Sequence, residues 1–340
     1  MPKSVFITKL GPPEVLKLQE TSELQPASNQ VRVRVKATGV NFADIMMRLG
    51  LYTGAPKLPF VPGYEVSGTI DAVGSGVQSD RIGERVIAMT EFGGYTESVC
   101  VPAERAIPMP PQMSFEQGAA LPVNYLTAYH MLYYLGHVRK GERVLVHQAA
   151  GGVGLAAIEL CRIAGAEIFG TASASKKDFL VSKGLHHPID YHTQDYEQEV
   201  MRITRDQGLD IVLDPIGGES LRKGYRLLAP LGRLMVFGFS SGVAGKGRNL
   251  VNAGMRLLRM PRFSPLDLMQ QNRAVFGVHL GRLWKAEGVL AEEMRALLDL
   301  FNQGKISPHI GKTFPLGEAA AAHHFIQDRK NLGKVVLEVD

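Results

Sequence analysis

Cysteine is scarce: Cys100 and Cys161 are the only two in 340 residues. Two thiols cannot build a disulfide framework or the four-cysteine lobe of a structural zinc site. Long uncharged apolar runs are missing too. The most apolar long stretch, Ala149 to Ala166, contains Glu159 and Arg162, so no membrane span is expected. The opening residues Met1-Pro2-Lys3-Ser4-Val5-Phe6-Ile7 lack the apolar centre of a secretory signal. The 37 glycines and 19 prolines follow no short period, which argues against collagen and linker sequences. At 45% hydrophobic and 21% charged residues, the chain can bury large cores. Its length exceeds one core of about 100–150 residues. A soluble, cytoplasmic protein of two domains is the expectation.

The formal charge of +5 is concentrated in one place. Between Ser241 and Arg273 stand six basic residues, Lys246, Arg248, Arg256, Arg259, Arg262 and Arg273, against the single acid Asp267. That stretch accounts for the whole excess. With the rest balanced, a nucleic-acid-binding face is not expected. Within the segment Val251, Met255 and Leu258 recur at i, i+4 and i+7, while Asn252, Arg256 and Arg259 take another face. Such a pattern suits either a solvated helix or lid beside a substrate cleft, or a peripheral contact with an anionic membrane.

Organisation follows from the periodicities. The alternation in Val31-Arg32-Val33-Arg34-Val35-Lys36 marks a half-buried strand. Turn signals such as Gly11-Pro12-Pro13, Pro62-Gly63 and Gly93-Gly94 recur around it, as in a β barrel or sandwich. Ser114-Phe115-Glu116-Gln117 fits a capping box that opens helical sequence. From Glu142 to about Val278 strands and helices alternate. The strands are Val144–His147, Glu167–Gly170, Ile189–Tyr191, Asp210–Leu213, Leu234–Phe237 and Val275–His279, with helices near 152–164, 175–183, 195–205 and 219–228. This rhythm predicts a doubly wound parallel sheet covered on both faces. A helix near 290–303 and a return strand, Lys334–Val339, follow. The return is too short for a third domain and is assigned to the first. The expected α/β architecture is thus a β domain of residues 1–125 plus 281–340 with a nucleotide-binding domain of residues 126–280 inserted into it.

The first strand of the inserted domain runs into Gln148-Ala149-Ala150-Gly151-Gly152-Val153-Gly154, and helix follows. A dinucleotide pyrophosphate needs close backbone approach at a helix N-terminus, where unpaired N–H groups and the dipole favour anions. Gly151 and Gly152 permit that approach, and Gly154 lets the helix pack on the strand. The second strand bears on cofactor choice. An NAD site would carry an acid near its end for the ribose 2′-hydroxyl. Here Ala172-Ser173-Ala174-Ser175-Lys176-Lys177 has none before Asp178. Ser173 and Lys177 suit a 2′-phosphate, so NADPH is the expected cofactor, with Tyr191 able to pack on the phosphate or the adenine. The other reading is a helix start whose lysines face water.

Together these segments resemble the medium-chain dehydrogenase/reductase superfamily, which joins a GroES-like β domain to an inserted Rossmann domain. The similarity is to its zinc-free quinone oxidoreductase branch and runs from about Val5 to Val339. It is carried by Gly39-Val40-Asn41-Phe42-Ala43-Asp44, Gly50-Leu51-Tyr52, Pro62-Gly63-Tyr64-Glu65, Ala149–Gly154 and Gly333-Lys334-Val335-Val336. The segments Gly170–Lys176, His187–His192 and Asp214–Gly218 look most like the synaptic-vesicle amine-transport-protein homologues of that branch. Zinc-dependent members have Cys near Asn41 and His where Tyr64 stands. No metal is expected, and the pairs His186-His187 and His323-His324 read as surface or packing residues.

The resemblance implies a reductase of quinones or α,β-unsaturated carbonyls, in which Asn41, Asp44, Tyr52 and Tyr64 face the nicotinamide. Tyr52 holds the position of a proton donor in related enoyl reductases, a role that contributes about 10²–10⁴-fold. Alternatively Tyr52 only binds, Asn41 and Asp44 only fix their loop, and Tyr64 only packs. Thr127, Phe237, Ser240, Asn331 and Gly333 carry over as cofactor neighbours, each with a plain turn or core alternative. Relatives also pair the last Rossmann strand edge to edge, which implies a homodimer. A lipid-associated binding protein on the same fold, using the basic segment, is the competing reading.

Overall fold

The computed structural model describes residues 1–243, 254 and 260–339. It divides into two units: residues up to Val123 with those from Ser307 on, and the described residues from Asn124 to Ile306. The basic amphipathic residues 246–259 lie, Gly254 aside, outside the described residues.

In the second unit six parallel strands form one sheet: Arg143–Val146, Glu167–Ala172, His187–Asp190, Leu209–Asp214, Leu228–Val236 and Ala274–Gly277. Counted along the chain, their spatial order is 3-2-1-4-5-6. That is the doubly wound order, whose reversal falls between the first and fourth strands. Val144, Leu145, Ile168, Phe169, Ile211, Val212, Leu234 and Met235 are fully buried, as strands covered on both faces require. The fifth strand starts six residues earlier than its apolar run suggests. Pro230 and Gly232 lie within it, and the ladder with the fourth strand shifts register between Leu209 and Ile211.

One expectation needs correction. Residues from 281 on were assigned to the β domain, yet helix Glu287–Asn302 belongs with the second unit. Leu290, Met294 and Leu297 are buried there, and Glu293 Oε1 meets His130 Nδ1 at 2.8 Å. A helix is held where its apolar stripe is buried, and this one was assigned by chain order alone.

The first unit is built on strand Gln30–Val40. Val31, Val33 and Val35 are wholly buried, while Arg34 is exposed beside Asp71. Antiparallel partners are Glu65–Val73, Ser98–Pro102 and the late strand Lys334–Glu338. Arg85–Met89, Ala106–Pro108 and Ile310–Pro315 extend the sheet outward. The capping box at Ser114 forms: its hydroxyl accepts from Gln117 N–H, and Gln117 Oε1 accepts from Ser114 N–H.

Candidate active site

In the first unit the end of strand Gln30–Val40 feeds Asn41, which caps helix Phe42–Arg48. Asn41 is nearly buried, and both ends of its amide are occupied. Its Oδ1 accepts from Lys334 Nζ at 2.7 Å, and its Nδ2 donates to Glu65 Oε1 at 2.9 Å. Lys334 also donates to Glu65 Oε1, and Glu65 Oε2 accepts the Val123 N–H at 2.7 Å. Lysine and glutamate are both sealed from solvent, a pairing that stands because further hydrogen bonds with Asn41 and the Val123 N–H support it. Gly39 makes this possible: a Cβ there would strike Glu65 Oε1 at 2.4 Å and Lys334 Cε at 2.6 Å.

Asp44 is wholly buried and accepts three hydrogen bonds: from Asn41 N–H (2.8 Å), Gly63 N–H (3.2 Å) and the Tyr95 hydroxyl (3.0 Å). Burial lifts its carboxyl to about 7, against the pull of those donors and of Lys334. Asn41 thus ties its loop to Glu65 and Lys334, and Asp44 ties it to Gly63 and Tyr95. Tyr52 and Tyr64 stand differently. Their rings lie 6.2 Å apart. Tyr52 is half-buried. Tyr64 is 5% exposed, and its hydroxyl has no hydrogen-bond partner among the described residues. Burial, with the Tyr52 hydroxyl adding to it, raises the Tyr64 ionisation far beyond the usual range. A neutral phenol at this place is a donor over the whole physiological range. Asn331 donates to the Gly333 carbonyl at 3.3 Å, and Gly333, with φ +76, turns the chain into Lys334. That late loop therefore belongs to the same unit as the polar centre.

In the second unit Gly151 caps helix Gly152–Ala164, and no side chain satisfies the helix's first N–H groups. A Cβ on Gly151 would meet only Gln148 O, at 3.3 Å, so an anion can approach the amides of Gly152 and Val153. These residues fit a pyrophosphate. Gly152 also has a packing reason: a Cβ there would strike the Asn124 side chain at 2.3 Å. A Cβ on Gly154 would meet Ala149 O at 2.5 Å and Gln148 O at 2.6 Å, so the helix start lies tight against the preceding loop. Gln148, at φ +52, donates from Nε2 to Ser240 Oγ at 2.7 Å, which brings the loop after the first strand to the loop after the fifth. Phe237 N–H bonds Asp214 O, and Thr127 is buried on helix Pro122–Tyr129. Ser173 follows strand Glu167–Ala172, Lys177 opens the next helix and is exposed, and Tyr191 N–H bonds Ala172 O. Ser173 and Tyr191 thus directly follow two neighbouring parallel strands.

Sequence reasoning missed His147, which directly follows the first strand, and Asp214, which ends the fourth, at the reversal of sheet order. His147 Nδ1 meets Thr171 Oγ1 at 3.0 Å, and Asp214 Oδ1 accepts from Ile216 and Gly217 N–H. His147 Nε2 and Asp214 Oδ2 are buried without partners among the described residues. Burial depresses the His147 imidazole, partly offset by Asp214. Both sit at the ends of apolar strands, so nothing in their spacing singles them out. Among the described residues no group of three or more His, Cys, Asp or Glu side chains is arranged to hold a metal ion.

Fold and site are those of a nicotinamide-dependent oxidoreductase. Residues 27–111 match the model of the alcohol dehydrogenase GroES-like domain, and residues 183–337 that of the zinc-binding dehydrogenases. The chain is 43% identical to the human synaptic vesicle membrane protein VAT-1 homolog, across 98% of this chain and 86% of that protein. Among solved structures it resembles Escherichia coli quinone oxidoreductase complexed with NADPH, with TM-score 0.87, 30% identity and 99% coverage of each chain. It also resembles the CurK enoyl reductase, with TM-score 0.86 and 31% identity over 100% of this chain and 99% of that one. The chain belongs to the medium-chain dehydrogenase/reductase superfamily, in the zinc-free quinone oxidoreductase branch close to the VAT-1 homologues.

Proposed function

We propose that the chain uses NADPH to reduce quinones or α,β-unsaturated carbonyls without zinc. One observation carries the reading. In the first unit the charged groups Asp44, Glu65 and Lys334 are held by hydrogen bonds within the unit, while burial keeps the Tyr64 phenol neutral with the Tyr52 ring 6.2 Å from it. Phenols suit an acceptor whose carbonyl oxygen gains charge, because they offer hydrogen bonds and a proton there. Bound NADPH would supply the hydride. Gly151, Gly152, Val153 and Gly154 would hold its pyrophosphate, while Ser173, Lys177 and Tyr191 would hold the 2′-phosphate and adenine. Thr127, Phe237, Ser240, Asn331 and Gly333 would line its remaining course. Tyr52 is the proposed proton donor, Tyr64 a hydrogen-bond donor, and Asn41 and Asp44 hold the loop that carries Tyr52.

A screen of quinones and enones, followed by NADPH absorbance, tests the reading. Turnover of members of either class is expected, and none with any of them would overturn it. A homodimer through strand Ala274–Gly277 and a cytoplasmic location complete the proposal. Light scattering that returned a monomer mass would remove the dimer. Among the described residues no helix is long and apolar enough to cross a membrane. Peripheral lipid contact through the basic segment remains the second reading, prompted by that segment's charge and by the membrane-protein name of the VAT-1 relative. Liposome co-sedimentation tests it.

A further inference from the structure

Arg48 is a guanidinium sealed inside the first unit, with none of its surface exposed. Its hydrogen-bond partners are the Gly11 carbonyl, Gln327 Oε1 at 2.5 Å and His323 Nδ1 at 3.3 Å. None is a carboxylate. A buried cation without a counter-ion is expensive, and burial does pull the Arg48 guanidinium down to about 10. The compensation becomes visible when the donors are followed. Arginine can only donate, so His323 Nδ1 accepts and the ring proton must sit on Nε2. That N–H faces the Tyr95 hydroxyl at 3.2 Å, and Tyr95 in turn donates to Asp44 Oδ2 at 3.0 Å. His323, Tyr95 and Asp44 have no exposed surface either. The hydrogen bonds therefore run in one direction, from the Arg48 cation through two neutral groups to the Asp44 anion. Chains ordered in this way polarise one another.

The anionic end grips the acceptor side. Asp44 Oδ1 accepts the N–H of Gly63, whose φ of +103 sets the turn into Tyr64. The ring of Tyr95 lies against the same turn, since a Cβ on Gly63 would meet Tyr95 Cδ1 at 2.7 Å. Thr90 closes the other side: its hydroxyl donates to Gly63 O at 2.9 Å and its N–H to Tyr64 O at 2.7 Å. We propose that Tyr95 and His323 are positioning residues of the acceptor site, holding Asp44 as the anion that fixes the Gly63–Tyr64 turn. This inference rests on the reductase reading.

The groups that bear on Asp44 are the neutral Tyr95 along the relay, the charged Lys334 from the late strand and Glu65 from strand Glu65–Val73. Glu14 lies near Arg48 and pairs with His324 at the far end. The Tyr95 hydrogen bond holds Asp44 down, and Lys334 does the same, while Glu65 pushes it up. Removing the Tyr95 hydroxyl must therefore raise Asp44 further.

Tyr95→Phe deletes one oxygen and keeps the ring. Its acceptor kcat should fall about tenfold, with NADPH affinity held within about twofold. The acid limb of kcat/KM should move up by about one pH unit. His323→Gln breaks the link to Arg48 and should shift the limb in the same direction. In the unmutated protein, imidazole ¹⁵N shifts should report His323 as a neutral Nε2–H tautomer that does not titrate near neutrality. Burial, aided by Arg48, depresses it well below the ordinary histidine range. A lower melting temperature with an unmoved acid limb would reduce both residues to scaffolding and overturn the proposal. A titrating His323, or the Nδ1–H tautomer, would overturn it even if neither variant folds. An unmutated protein that turns over no acceptor removes the reductase reading and this inference together, whereas turnover with an unmoved limb removes only this inference.

Discussion

The polar centre of the first unit and the carboxyl edge of the second unit's sheet handle buried polarity in opposite ways. Around Asn41, Asp44, Glu65 and Lys334 every charge meets a partner within the same unit. At the sheet edge the helix behind Gly151 lacks a side-chain cap, and His147 Nε2 and Asp214 Oδ2 point at nothing among the described residues. A closed network fixes backbone and leaves little for a ligand. Buried donors and acceptors left open cost stability, and their persistence calls for an explanation such as a ligand. The residue types that most resemble catalysts in the first unit are thus tied into its framework, and under the proposed function the acceptor falls to Tyr52 and to Tyr64, whose phenol burial keeps neutral.

Breaking the closed network should produce the largest effect. Lys334→Met leaves Glu65 charged and unpaired in a sealed site, which costs about 3–5 kcal/mol. Urea denaturation should show that loss, and Lys334→Met combined with Glu65→Leu should recover much of it. A loss below about 1 kcal/mol would mean that water reaches the pair. Asp44 comes next. In the folded chain it takes its proton near pH 7, against 3.8 for the ordinary carboxyl, so the folded state binds that proton more tightly. Its contribution favours folding fully below about 3.8 and is lost as pH rises through about 7. Asp44→Asn does not titrate. The stability of the parent relative to this variant should therefore fall by up to about 4 kcal/mol across that window, and a flat difference would show Asp44 to be ordinary.

The tyrosines sharpen the contrast. Tyr52→Phe keeps the ring and removes the hydroxyl. An enone, which needs a proton on carbon, should lose about 10²-fold in rate. A quinone should lose much less, because its reduced oxygens exchange protons with water. Equal small losses would leave Tyr52 as a binding residue. The smallest effect belongs to the open edge. Lys177→Ala removes one exposed cation next to Ser173 and should weaken NADPH about tenfold while leaving NADH nearly unchanged. Equal affinities for the two cofactors in the unmutated protein would refute the 2′-phosphate assignment outright.

What was legible in the sequence was local. Alternation located the strand around Val33, the change of rhythm after Glu142 announced the parallel sheet, and the glycines after His147 marked the start of helix Gly152–Ala164. Contacts across long stretches of chain left no trace. Lys334 reaches Glu65 across 269 residues, and His323 reaches Arg48 across 275. No spacing rule operates at such separations. The His323-His324 pair looked like packing or surface, and the helix in fact splits it: His323 is buried in the relay, and His324 turns outward to Glu14 at 2.6 Å. The motif singles out Gly152 for phosphate approach, and it gives no sign that a Cβ there would also strike Asn124.

The pairing of Lys334–Glu338 with Ala37–Val40 has a consequence for biosynthesis. A ribosome releases the central strand of the first unit early, and the strand that completes its sheet emerges only after the whole second unit has been made. Until then Glu65 has no ammonium beside it, and His323 has not arrived to receive Arg48. The nascent chain therefore carries an acid and a base that can only stay hydrated, which keeps the early segment from sealing around a wrong partner. Vectorial folding should finish the nucleotide-binding half first. The centre beside the tyrosines is then set last, when the final residues of strand Lys334–Glu338 leave the exit tunnel.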